Sequence, residues 1–129
     1  LFPYTTLFRS RQLVLYYTVK FFHKRYGLPV MVTENGMADN DIVRDGMVED
    51  EKRIRFMKDY IGNLKRAVDE GIPVLGYQYW SLLDNFEWAE GYGPRFGLIH
   101  VDYSTQKRVL KDSAAFYSQI IASSGEVLT

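Results

Sequence analysis

The chain has 129 residues, and its 16 basic and 16 acidic side chains leave no net charge to draw it to nucleic acid. A hydrophobic share of 47% is too high for disorder, and no apolar run approaches the roughly 20 residues that span a bilayer. Cysteine is absent, which excludes disulfides and thiolate metal sites and is compatible with a cytosolic protein. The histidines, His23 and His100, lack a ligand partner at i+3 or i+4, so no metal is expected.

The opening stretch, LFPYTTLFRS, has no basic n-region, sustained apolar run or small-residue cleavage site, and is not a signal peptide. It has no clear helical or strand period before Arg11, and residues 1–11 are read as a non-native segment foreign to the gene. The missing initiator methionine fits a fragment. From Gln12 to Tyr26, Leu15, Val19, Phe22 and Tyr26 recur at i, i+4, i+7 and i+11, with Gly27 placed to end the helix. Tyr16, Tyr17, Phe21 and Phe22 are expected in the core, as are Met31 and Met57. A β-branched run, Val30 to Thr33, reads as a strand that stops at Glu34, where Asn35-Gly36 turns the chain. Residues 37–50 are polar and turn-rich, a long loop.

A second amphipathic helix follows, with Ile54, Met57, Ile61, Leu64 and Val68 on one face and Gly71 at its end. Lys52, Arg53, Arg55 and Lys58, and later Lys107 and Arg108, read as solvated. Ile72 to about Trp80 is the second strand. A loop rich in aromatics and glycine runs to about Gly97, then a short strand LIHVD. A closing helix, DSAAFYSQIIA, takes Asp112 or Ser113 as N-cap, and residues 123–129 read as a frayed tail.

Helices that alternate with strands indicate α/β architecture with parallel strands. Such strands must be covered on both faces, which two strands and three helices cannot do alone. A (β/α)8 barrel takes about 250 residues, so the chain is at most part of one. In such barrels the catalytic groups sit at the carboxyl ends of the strands, and Glu34 holds that position. Taken alone, Glu34 is also a strand-end carboxylate that an arginine or a helix N-terminus could satisfy. The loop after the second strand gathers Trp80, Phe86, Trp88, Tyr92 and Phe96 around Asp84, Glu87 and Glu90. Indoles suit the C–H face of a sugar, and carboxylates accept from neighbouring hydroxyls. Asp84 and Glu90 are expected to brace the loop rather than touch a sugar.

The pairing of PVMVTENG with GYQYWSLLDNFEWAEGYGPRFGLIHVD resembles the C-terminal part of a glycoside hydrolase family 1 β-glucosidase, over about residues 12 to 122. The resemblance implies the last two or so β/α units of a (β/α)8 TIM barrel. It makes Glu34 the nucleophile, Trp80 a platform beside the sugar, Glu87 and Trp88 the contacts to hydroxyls of the non-reducing sugar, and Phe96 a lining residue of that subsite. It implies no cofactor, and small β-glycosides such as cellobiose or aryl glucosides as substrates. Relatives that cleave 6-phosphorylated glycosides replace the Glu-Trp pair; here Glu87 would repel a phosphate. The family's acid/base glutamate lies upstream in an Asn-Glu-Pro motif, which this chain lacks. The chain is therefore expected to be inactive alone and to aggregate or associate through uncovered apolar faces. Two further readings stand beside this one: a non-catalytic carbohydrate-binding fragment, and a truncated reading frame without function.

Overall fold

The computed structural model describes residues 12–128; the segment 1–11 lies outside them. The helices are α1 (Val14–Tyr26), α2 (Glu51–Asp69) and α3 (Asp112–Ala122). The strands are β1 (Val30–Asn35), β2 (Val74–Tyr79), β3 (Ile99–Val101) and β4 (Arg108–Leu110). Helix α1 ends where expected, with the Gly27 N–H donating to the His23 carbonyl at 2.8 Å. β1 and β2 pair in parallel, Val30 opposite Val74 and Asn35 opposite Tyr79, and the register skips Leu75. This is a partial α/β unit with no closed barrel among the described residues.

One face of the β1–β2 sheet is covered. Val32 packs with Tyr16 and Val19 of α1 and Leu64 and Ala67 of α2. Tyr77 links this cluster to a second, where Met57 and Ile61 meet Leu98 and Ile120 of α3. Side chains alternate across a strand, so the opposite face carries Met31 and Leu75, and these are 44% and 72% exposed. Beside it an apolar groove of about 640 Å³ runs between β2 and helices α2 and α3, lined by Leu64, Leu75, Tyr77 and Ile120 among others.

The structure corrects several expectations. Tyr17, Phe21 and Phe22 are exposed, because α1 has packing partners on only one side among the described residues, and Met31 is exposed on the uncovered face of the sheet. Its buried face is turned toward Tyr16 and Val19, and Phe22 and Tyr26 stack on each other outside it. Arg53 is buried, not solvated. On α3 neither Asp112 nor Ser113 caps its own helix; Lys111 is the N-cap and makes no capping bond. The distant Asp50 instead accepts the Ser113 N–H at 2.8 Å. The tail is not frayed through Leu128: Glu126–Leu128 forms a 3-10 turn, and Leu128 packs on the second cluster.

The expected strand LIHVD is β3, and β4, which pairs with it as a hairpin, is an addition to the expected elements. The hairpin is antiparallel, with His100 opposite Val109. The Asp102 carboxylate makes its turn, accepting the Ser104 and Thr105 N–H groups at 2.9 and 3.2 Å.

Candidate active site

The site is built where β1 and β2 end together. The Trp80 N–H donates to the Asn35 carbonyl at 2.9 Å, and the Tyr77 hydroxyl donates to Asn35 Oδ1 at 2.9 Å. Both strand ends are thereby fixed side by side. Gly36 follows from this closeness: a Cβ there would lie 1.9 Å from the Trp80 carbonyl oxygen. The last strand residues before the turns are thus Glu34 with Asn35, and Tyr79 with Trp80. Glu34 is exposed, and its carboxylate has no ion pair or hydrogen bond among the described residues. Among the described residues, no arginine holds this strand-end carboxylate.

Trp80 is 42% exposed, and its peptide bond to Ser81 is cis. From Ser81 the chain runs beside the segment that begins at Phe96. The Leu98 N–H donates to the Ser81 carbonyl at 2.9 Å, and the Asp84 N–H to the Ile99 carbonyl at 3.0 Å. Gly97 permits this contact, since a Cβ would meet the Asp84 nitrogen at 2.2 Å. Phe96 is so returned to the neighbourhood of Trp80. Glu87 and Trp88 lie on the tip of the intervening loop, in a tight turn where the Glu87 N–H donates to the Gly91 carbonyl at 2.7 Å. Trp88 is 83% exposed. Aromatic contacts brace the tip: Phe86 against Tyr92 at 5.3 Å, Tyr92 against Tyr103 at 4.4 Å, and the Arg95 guanidinium 4.4 Å from the Tyr103 ring.

Beneath this loop is a group of charges that the sequence reading did not find. Lys111 Nζ pairs with Asp41 and, at 2.8 Å, with Asp84. Arg53 pairs with Asp41 at 2.8 Å and also with Asp50. Arg95 reaches Asp84 at 3.2 Å. Three carboxylates therefore meet three cations, and all but Arg95 have side chains no more than 2% exposed. Burial works against the Arg53 charge, but the bonds from Asp41 and Asp50 hold its pKa above the ordinary arginine value. Asp84 braces the loop as expected, while Glu90 is exposed at the rim.

One signal for Arg53 was present: it falls at i−4 from Met57, on the same stripe as Ile61 and Leu64. His100, on β3, is buried, and its pKa lies below the ordinary histidine value, first through burial and then through Arg95. No group of three metal-ligating side chains gathers among the described residues.

The family model for glycosyl hydrolase family 1 matches residues 6–126. The chain belongs to that family. It is 50% identical to β-glucosidase A of Thermotoga maritima over 86% of this chain and 25% of that protein. It is 43% identical to β-glucosidase A of Acetivibrio thermocellus, again over 86% of this chain and 25% of the relative. The structure of the Thermotoga maritima β-glucosidase in complex with glucoimidazole superposes with a TM-score of 0.83 at 50% identity, over 86% of this chain and 26% of that one. The chain thus spans about a quarter of the length of the curated relatives it matches.

Proposed function

We propose that the whole protein is a retaining β-glucosidase-type exo-glycosidase, and that this chain supplies the last two or so β/α units of its (β/α)8 barrel. Glu34 is the nucleophile. Trp80, Glu87, Trp88 and Phe96 hold the terminal glucosyl ring, with Glu87 favouring unphosphorylated sugars. The observation that carries this reading is the exposed Glu34 carboxylate, unbonded among the described residues, at the carboxyl end of a parallel strand, with Trp80 on the adjoining strand end. The 50% identity to a β-glucosidase across 86% of the chain supports it.

In a retaining mechanism the nucleophile attacks the anomeric carbon while a second carboxyl group, about 5–5.5 Å away, protonates the leaving oxygen. Water then attacks the glycosyl-enzyme, assisted by the same second carboxylate, and the product keeps its anomeric configuration. Glu34 is suited to the first role because no cation among the described residues is bonded to it. Asp84, buried and bonded to Lys111 and Arg95, is unsuited to the second. The acid/base residue belongs to the rest of the protein, so the chain alone does not turn over substrate. The uncovered sheet face at Met31 and Leu75 and the groove along β2 are where the remaining units pack.

The test is reconstitution. The chain is mixed with the first three quarters of Thermotoga maritima β-glucosidase A and assayed on an aryl β-glucoside and on cellobiose. Activity is expected only in the mixture, with the β-anomer released first by NMR. Glu34→Gln lowers it by about 10⁴-fold or more while leaving the complex intact. Turnover by the isolated chain that Glu34→Gln abolishes would refute its inactivity. Glucose binding by calorimetry with no hydrolysis in any mixture would favour a binding fragment.

A further inference from the structure

We propose that Asp84 is a positioning residue, a clasp that closes the neck of the loop carrying Glu87, Trp88 and Phe96 and fastens it to the loop that follows Glu34. One carboxylate grips both limbs of the neck. It sits on the outgoing limb, and on the returning limb its Oδ1 accepts the Gly97 N–H at 2.8 Å and its Oδ2 the Val101 N–H at 3.3 Å. Arg95, on the returning limb, donates to the same carboxylate at 3.2 Å and to the Val101 carbonyl at 2.6 Å.

The clasp is anchored across the site by Lys111, which bridges Asp84 and Asp41. Asp41 lies in the loop that leaves β1 after Asn35, the neighbour of Glu34. The same two loops also meet through backbone: the Asp39 N–H donates to the Arg95 carbonyl at 3.0 Å, and the Arg95 N–H to the Asp39 carbonyl at 3.2 Å. Arg53, from α2, donates to that Arg95 carbonyl at 2.9 Å. The residue after Arg95 is Phe96. Ionic bonds of this kind are directional, so they fix a position where hydrocarbon contacts would allow slippage.

The geometry of the clasp stands by itself; its consequence for sugar rests on the glycone roles proposed for Glu87, Trp88 and Phe96. Amide hydrogen exchange on the full chain tests the first. In the unsubstituted chain the Gly97 and Val101 amides should be protected well beyond the exposed amides of the loop tip; exchange as fast as the tip would overturn the clasp without any variant. In Asp84→Asn, exchange across residues 85–97 should rise at least about tenfold, with β1 and α2 unchanged. Because that variant leaves Lys111 with a single partner, the double variant Asp84→Asn with Lys111→Met removes a charge of each sign and keeps the group balanced. It should remain folded by circular dichroism with the loop still opened. Loop exchange that is unchanged, or acceleration that is equal in the loop, β1 and α2, would overturn the proposal.

Glucoimidazole binding by the reconstituted protein tests the second. Asp84→Asn should weaken it at least about tenfold. An opened loop with unchanged glucoimidazole affinity would overturn the positioning role. No binding by the unsubstituted protein would sink the glycosidase reading instead, leaving the clasp to be judged on exchange alone.

Discussion

The back of the β1–β2 sheet and its carboxyl end are held by different forces. Behind the strands, Tyr16, Val19, Val32, Leu64 and Ala67 bury hydrocarbon against hydrocarbon. At the carboxyl end, where Glu34 and Trp80 emerge, Asp41, Asp50, Asp84, Arg53, Arg95 and Lys111 interlock as buried ion pairs. Burial of apolar surface is non-directional and tolerates small errors of position. A buried ion pair stabilises little compared with an apolar replacement, but it fixes atoms at bonding distance. The glycone site proposed for this loop needs its groups placed to about half an ångström. The chain thus uses hydrocarbon for cohesion and charge for placement.

The largest effect should come from unbalancing the charged end. Arg53→Met leaves Asp41 and Asp50 short of a cation in a buried setting and should cost about 3–5 kcal/mol in urea unfolding. Adding Asp50→Asn removes a negative charge and should recover much of that loss; if it recovers none, charge imbalance is not the cause. A smaller effect is expected behind the sheet. Leu64→Ala, at a position 4% exposed, should cost about 3 kcal/mol through lost burial and the space left behind. The comparison sharpens in the reconstituted protein. There, Leu64→Ala should lower stability and leave glucoimidazole affinity unchanged, whereas Arg53→Met should lower both. Equal effects on affinity would erase the distinction between the two regions. Smaller still is Lys52→Ala, which removes an exposed partner of Asp39 and should change stability by no more than about 0.5 kcal/mol.

The two regions also differ in how far the sequence foretells them. Met57, Ile61 and Leu64 follow a helical period, and the structure buries all of them. Arg53 lies on that same stripe, yet its charge argued for solvent; its partners Asp41 and Asp50 lie in or beside a loop with no period to read. Lys111 and Asp41 are separated by 70 positions in sequence, and no local pattern announces such a pair. Glu34, Trp80 and Phe96 were legible as a motif, and the pairing of Asn35 with Trp80 and of Ser81 with Leu98 shows why they are neighbours. Tyr17, Phe21, Phe22 and Met31 were misread because composition says that an aromatic or a methionine can be buried, not whether a partner is there to bury it. The β3–β4 hairpin was half read, since three residues on β4 give too little alternation to detect.

The effect most confined to one window of pH lies at the far end of the apolar region, where α1 is tied to α2 by Glu70. Its carboxylate pairs with Lys20, accepts from the Tyr16 hydroxyl at 2.7 Å and pairs with Arg66 at 3.1 Å. The Lys20 bond first, and then Tyr16, bring the Glu70 pKa from 4.5 down to about 2. A carboxyl group depressed on folding gives stability that is fully present above its unfolded pKa and lost as pH falls through its folded value. The loss should therefore run from about pH 4.5 to about pH 2, where the folded chain releases its last claim on the charged form. Lys20 is raised by the same bond, so its share is present below its ordinary 10.5 and is lost only as pH rises beyond that. Between these limits the tie is constant. Glu70→Gln should flatten the dependence of stability on pH across the acid window, read by urea midpoints at several pH values. It should leave the charged end untouched, with exchange at Gly97 and Val101 unchanged at neutral pH. If Glu70→Gln loosens those amides, the two regions are coupled, and cohesion and placement are not separate functions of separate parts.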